Sequence, residues 1–299
     1  MINIMKSIVK RKLIQIAVFG FTNSHITNFA DGSLYKGSWK QFCNPGLNCY
    51  SCPAAGLACP IGALQSVSGS SEFQISFYVV GFLLAVGVLL GRCVCGFLCP
   101  FGLFQELLNK VPFPKFKLWR GFRYIKYFTL VFFVILLPIV ATNYMGMGKP
   151  AFCQYICPAG TLEGGIPLLI THSELQQTMG SLFTLKMAIL VLTILGCLSI
   201  HRFFCKIICP LGAIYGLLNR ISIYRLTVDT NQCIHCGKCS RICKMDVDPL
   251  KNPNTAECIR CGECASACPA HAINLGFKPS NRKKGDHLSE IQEAQPMNK

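Results

Sequence analysis

Apolar residues in this chain gather into four long blocks separated by polar, cysteine-rich intervals. Blocks 73–90, 127–141 and 182–200 are nearly unbroken, while 13–30 carries Gln15, Asn23, His25 and Asn28 among its apolar positions. Each approaches the ~20 residues that a helix needs to cross ~30 Å of hydrocarbon, so the pattern predicts four transmembrane helices. Pro138, near the end of the third block, kinks or finishes that helix without preventing a span. Beyond residue 222 the long blocks stop, which predicts a membrane domain over 1–222 and a separate α+β unit over 223–277. The polar stretch 278–299 lacks apolar periodicity and reads as a disordered tail.

Composition agrees with this division. The chain is 52% hydrophobic and 14% charged, against about 25% charged in an ordinary soluble domain. Its formal charge of +16 is unevenly spread. Lys6, Lys10, Arg11 and Lys12 precede the first block, and Arg92, Lys110, Lys115, Lys117, Arg120, Arg123 and Lys126 lie between the second and third with one acid, Glu106. The positive-inside rule then places both termini and the middle loop in the cytoplasm, in a cell-membrane protein surrounded by lipid. A solvated positive face accounts for the charge, and nucleic-acid binding is not indicated. No small-residue cleavage site follows the first block, which argues against a signal peptide.

The chemistry is carried by twenty cysteines. The spacing C-x2-C-x2-C-x3-C occurs twice, as Cys233, Cys236, Cys239, Cys243 and as Cys258, Cys261, Cys264, Cys268. In two-cluster ferredoxins the fourth cysteine of each run ligates the other cluster. That predicts one [4Fe–4S] cluster on Cys233, Cys236, Cys239 and Cys268, and a second on Cys258, Cys261, Cys264 and Cys243. Gly237 and Gly262 follow the second cysteine of each run, where the backbone must bend around the inorganic core. Pro269 follows the last cysteine as expected, whereas Lys244 stands after Cys243. Zinc needs four cysteines in total, and two complete sets favour clusters.

Four further cysteines open a C-P-x-G pattern: Cys59, Cys99, Cys157 and Cys209. They alternate between the outer and inner ends of the apolar blocks. The inner copies extend into a longer repeat, Arg92–Lys110 against Arg202–Arg220, at a constant offset. Two tandem two-helix units, about 13–110 and 123–220, therefore predict a pseudo-twofold axis along the membrane normal. On that axis Cys95, Cys99, Cys205 and Cys209 supply four thiolates for a third cluster. On the outer side six thiols, Cys43, Cys49, Cys52, Cys59, Cys153 and Cys157, could hold a fourth cluster with two left over or form disulfides, and Cys52, Cys59, Cys153 and Cys157 are the candidate set. Cys197 reads as core and Cys93 as a spare. No C-x-x-C-H, dinucleotide fingerprint or Walker motif occurs.

Taken together, these motifs resemble the NapH-type membrane ferredoxin family, broadly including NosR-like proteins, over residues 13–277. The resemblance implies an electron-transfer subunit of an oxidoreductase rather than a stand-alone enzyme. Its implied partners are quinone, another oxidoreductase subunit or a flavoprotein. The outer stretch 43–59 departs from NapH itself. A thiol–disulfide relay and a redox sensor or assembly factor are the alternatives.

One difficulty is geometric. An eighteen-residue helix spans ~27 Å, a long gap between inner and outer centres. Either the C-P-x-G turns dip into the bilayer or a quinone bridges the gap. The first option requires Cys59 and Cys157 to lie near the axis and to face the inner quartet.

Overall fold

In a computed structural model, which describes residues 2–69, 77–141, 148–172, 174 and 180–277, the chain is mostly helical. The expected tail 278–299 and the first residues of block 73–90 lie outside the described residues. The core is largely hydrophobic but also takes in polar side chains, with Arg11 3%, Gln15 2% and Gln105 0% exposed, while Phe77 is 82% and Val140 72% exposed.

Among the described residues two helices are long and apolar enough to cross a membrane, Arg120–Val140 and Ser181–Ser199. Phe77–Leu90 is apolar but has 14 residues, or ~21 Å. The first block differs from the expected span. Its helix runs Ile2–Thr22 and ends there, so 13–30 is not one helix. Buried ion pairs draw the helix into the basic stretch, where Arg11 meets Glu106 at 3.2 Å and Glu263 at 3.0 Å. At the other end Thr22 and Asn23 donate side-chain hydrogen bonds back to the Val18 and Phe19 carbonyls.

Within Arg120–Val140, residues Leu130–Leu136 widen into π-helix just before Pro138. Proline lacks an N–H and crowds the carbonyl one turn back, and the wider turn relieves both problems. The same device recurs at Phe152–Ile156 before Pro158 and at Gly160–Gly165 before Pro167.

The two repeat units exchange helices. Pro210–Leu218 of the second packs on Phe77–Leu90 of the first, and Pro100–Leu108 of the first packs on Ser181–Ser199 of the second. This exchange brings the two inner motifs face to face.

The C-terminal unit is a small ferredoxin-like fold. Strand β1, Arg225–Val228, pairs antiparallel with β2, Ile273–Gly276, with Arg225 opposite Gly276 and Val228 opposite Ile273. Between the strands lie two short helices, Lys238–Ile242 and Glu263–Ala267. Left-handed residues fall at matching places in its two halves: His235, Gly237 and Asp246, then Arg260, Gly262 and His271. For the four non-glycine residues this conformation costs ~1–2 kcal/mol each. Successive residues of this kind turn backbone N–H groups toward a common centre, which suits an anionic cluster.

Acids of this unit dock onto basic residues of the preceding helical part of the chain. Glu257 pairs with Arg92 at 2.6 Å and with Lys126, Asp246 with Lys206 at 2.8 Å, and Glu263 with Arg11. The expected solvated positive face holds at Lys110, Lys115, Lys117 and Arg120, which are exposed, but Arg11, Arg92, Lys126, Arg202 and Lys206 are buried and paired with carboxylates. Fully buried Asn219 adds hydrogen bonds to the Thr255 carbonyl at 2.6 Å and the Cys258 carbonyl at 3.0 Å.

Candidate functional site

Each C-P-x-G segment builds the same local device. Cysteine sits at the N-cap of a helix, proline follows at the first helical position, and the glycine amide turns back to the cysteine sulfur. Gly102 N reaches Cys99 Sγ at 3.3 Å and Gly212 N reaches Cys209 Sγ at 3.4 Å. The Gly62 amide likewise faces Cys59, and the Gly160 amide faces Cys157. A thiolate held at a helix N-terminus is stabilised by the backbone dipoles.

At the inner site Cys95, Cys99, Cys205 and Cys209 are all buried and lie close enough for their charges to interact. Two arginines cross the pseudo-twofold axis reciprocally. Arg92 donates to the Cys205 carbonyl at 2.8 Å, and Arg202 donates to the Cys95 carbonyl. The motif glycines leave room for this crossing. A Cβ on Gly102 would stand 3.4 Å from Arg202, and one on Gly212 3.4 Å from Arg92. Each arginine has its carboxylate, Glu257 for Arg92 and Glu106 for Arg202. Arg202 adopts a left-handed conformation, φ 55°, a local cost of ~1–3 kcal/mol often found at functional sites.

The four thiols differ in their surroundings. Burial pushes Cys95 and Cys99 up from the usual thiol range. Cys205 is drawn down to about 6, first by its hydrogen bond with Cys209 and then, against burial, by Arg202, Gln105 and Arg92. Four buried thiols flanked by two cationic side chains fit a metal–sulfur centre, whose cations hold coordinating thiols deprotonated. Among the described residues no three Cys, His, Asp or Glu side chains stand at single-ion spacing.

In the ferredoxin unit, Cys233, Cys236, Cys239 and Cys268 line one small cavity, and Cys243, Cys258, Cys261 and Cys264 line another. These are the crossed sets expected from the spacing. Gly237 and Gly262, with φ 67° and 80°, open the helices that carry Cys239 and Cys264. Cys236 is exposed at the far end. The second cavity backs onto the inner quartet: Cys243, Cys258 and Cys261 pack against the core that contains Cys95, Cys99 and Cys209. A Cβ on Gly96 would stand 2.7 Å from the Ile259 carbonyl.

On the outer side a cavity of ≈ 800 Å³ is lined by Cys43, Cys49, Cys59, Cys153 and Cys157. Cys52, an expected member, lies outside it. It packs with Ala54 and Ala55 in a satellite cluster that Cys49 borders. Cys59 and Cys157, each 7% exposed, belong to the same large buried cluster as Cys95, Cys99 and Cys209. The irregular segment around Asn44–Asn48 is itself buried.

The residue six positions after each motif cysteine was not singled out in the sequence, although its fixed offset marks it. Gln65, Gln105, Glu163 and Tyr215 all reach into the opposite half. Gln65 donates to Cys153 Sγ and Gln105 to Cys205 Sγ, both at 3.1 Å. Glu163 accepts from the Cys49 amide at 2.7 Å, and Tyr215 donates to the Pro45 carbonyl at 2.9 Å. Burial pushes Glu163 up to about 7, against the Cys49 N–H. Cys197 is fully buried and donates to Gln105 Oε1 at 3.7 Å. Cys93 is buried near Cys258 and Cys261.

Comparison with known proteins agrees with this chemistry. A family model described as a 4Fe-4S binding domain matches residues 73–122, 127–166 and 179–225, and a second of the same description matches 252–274. The putative electron transport protein YccM of Escherichia coli is 25% identical over 76% of this chain and 62% of its own. Protein NirI of Paracoccus denitrificans is 29% identical over 59% of this chain and 25% of its own. The methylamine utilization ferredoxin-type protein MauN of the same species is 26% identical over 63% of this chain and 61% of its own. The chain thus spans less than two thirds of each of these relatives. No solved structure matches it. The chain carries 4Fe–4S binding domains and is similar to ferredoxin-type electron transport proteins.

Proposed function

We propose that this chain is a membrane-embedded electron conduit, an electron-transfer subunit that works beside another oxidoreductase component. In this reading Cys233, Cys236, Cys239 and Cys268 hold a distal [4Fe–4S] cluster, and Cys243, Cys258, Cys261 and Cys264 hold a proximal one. Cys95, Cys99, Cys205 and Cys209 hold a third between the repeat units. Such clusters supply one-electron transfer. The helical blocks lie in the membrane as four crossings, with both termini cytoplasmic. The exposed end at Cys236 faces a soluble carrier. Quinone or an outer-face redox partner, a flavoprotein among the options, stands at the other end.

The observation that carries the reading is the shared core of the second ferredoxin cavity and the inner quartet. The Ile259 carbonyl, between Cys258 and Cys261, approaches Gly96, between Cys95 and Cys99, and burial and nearby charge are the means by which a protein tunes such centres. Arg92, Arg202 and Lys126 surround the inner quartet with positive charge, which favours the more negative, reduced form of a centre held there.

The test is anaerobic purification with iron, sulfide and zinc analysis of the full chain and of the double variant Cys95→Ser with Cys205→Ser. The variant should lose one cluster's iron while both ferredoxin signals persist. Iron sufficient for only one cluster in the parent, stoichiometric zinc, or unchanged iron in the variant would contradict the proposal.

A further inference from the structure

The outer cavity repeats the plan of the inner site. Inside, a C-x3-C-P pair from the second unit, Cys205 and Cys209, meets Cys99 of the first, and Gln105, six residues after Cys99, donates to Cys205 Sγ at 3.1 Å. Outside, the C-x3-C-P pair Cys153 and Cys157 meets Cys59, and Gln65, six residues after Cys59, donates to Cys153 Sγ at the same 3.1 Å. Both glutamines are fully buried. Both also donate to the carbonyl four residues back, Phe101 and Ile61, at 3.3 Å. Each accepts an amide from the second unit, Gln105 from Cys205 at 3.4 Å and Gln65 from Phe152 at 2.9 Å.

The inner site has a fourth thiol, Cys95, and its outer counterpart is identified by neighbourhood. Cys157 has Cys153, Cys49 and Cys59 as its thiol neighbours. Cys49 Sγ lies 3.8 Å from where a Cβ on Gly160 would stand. Cys43 has Cys59 as its thiol neighbour; its amide donates to the Tyr78 hydroxyl at 3.3 Å, and its neighbours Phe42 and Asn44 bond to Ala58. Cys52 points away and meets the Ala54 and Ala55 amides.

We infer that Cys49, Cys59, Cys153 and Cys157 form a fourth iron–sulfur site, built on the inner site's plan and joined to it through a single peptide unit. The join is the Leu47–Asn48 step. The Leu47 amide faces the Cys99 thiol, and the Asn48 amide faces the Cys59 thiol. One chain step of ~3.8 Å plus two N–H···S reaches of ~4 Å puts those sulfurs within roughly 12 Å of each other, less than half the helix-length gap. Gly46 is required for this approach, because a Cβ there would stand 2.6 Å from both Cys99 Cα and the Leu98 carbonyl. Where the inner site is flanked by Arg92 and Arg202, the outer one has Glu163 on Cys49, and Lys40 and Lys186 are among the residues that line its cavity.

This inference deepens the conduit reading and takes its role from it, but the site is tested separately. Full-length Cys49→Ser and Cys52→Ser variants are purified anaerobically, and iron, sulfide and the paramagnetic resonance of the reduced protein are measured. Cys49→Ser should lose about a quarter of the iron with the inner and ferredoxin signals unchanged, and Cys52→Ser should lose none. A milder change, Gln65→Met, should keep all iron and shift one signal only. Full iron retention in Cys49→Ser, loss in Cys52→Ser, or a reducible disulfide among the outer thiols of the anaerobic parent overturns the outer site. If Cys95→Ser with Cys205→Ser still loses one cluster in that case, the conduit stands and ends at the inner face. If neither variant loses iron, both ideas fall.

Discussion

Replacing Glu106 by Gln should destabilise the folded chain by about 3–5 kcal/mol, the usual cost of removing one partner from a buried ion pair. Glu106 is 5% exposed and accepts from Arg202 at 2.8 Å, from Arg11 at 3.2 Å and from Lys12. Without it, fully buried Arg202 keeps its contact with the Cys95 carbonyl but loses its counter-charge. Burial alone would raise the Glu106 carboxyl, yet Arg202, Arg11 and Lys12 outweigh it and hold the group down to about 2. A carboxylate depressed in the folded state contributes stability that is full above the unfolded value near 4.5. That contribution is lost as pH falls from there through about 2. Thermal unfolding should show a large drop in midpoint for Glu106→Gln at pH 7, with the gap to the parent closing toward pH 2. A gap that stays constant with pH would contradict the ion-pair account.

Gly96→Ala should uncouple the ferredoxin unit from the membrane domain. A Cβ there would meet the Ile259 carbonyl at 2.7 Å, closer than real contacts allow, and that carbonyl belongs to the loop between Cys258 and Cys261. Gln15, on the N-terminal helix, fixes the other side of Gly96 by donating to its carbonyl at 2.8 Å. The loop must therefore move away, against Arg260, which anchors it to the Leu90 and Asn219 carbonyls at 3.1 and 2.6 Å. Overpacking of this kind costs about 1–3 kcal/mol. The variant should retain full iron content, reduce normally at the ferredoxin unit, and pass electrons to the inner quartet much more slowly. Rapid-mixing absorbance of the two sets separates these effects, and an unchanged inner reduction rate would count against direct docking.

How much of this was legible in the sequence depends on how locally each site is built. The ferredoxin sets follow from spacing because three ligands come from one tight loop and the fourth from its twin. The inner quartet follows from repetition, since two nineteen-residue stretches in one register require a shared axis. The outer set is the least legible, because Cys52 lies outside the cavity that Cys49 lines. Cys49 and Cys52 are three residues apart in a loop without periodicity, and only the fold of 43–59 decides which one faces Cys157. The buried arginines were missed because positive charge near membrane blocks looks alike whether solvated or paired. Their carboxylate partners, Glu106, Glu257 and Glu263, lie far away in the chain. The crossing residues Gln65, Gln105, Glu163 and Tyr215 differ in type, so only their common offset from the motif cysteine unites them.

The most direct measurement of the central claim is electron flow across a sealed, quinone-free vesicle containing the purified chain. A membrane-impermeant reductant is placed on one side and an impermeant acceptor on the other. The account predicts sustained flow in the parent and only the leak of protein-free vesicles in Cys95→Ser with Cys205→Ser. Equal rates in the two proteins, or no flow in a parent shown to carry its full iron even after quinone is added, would contradict it.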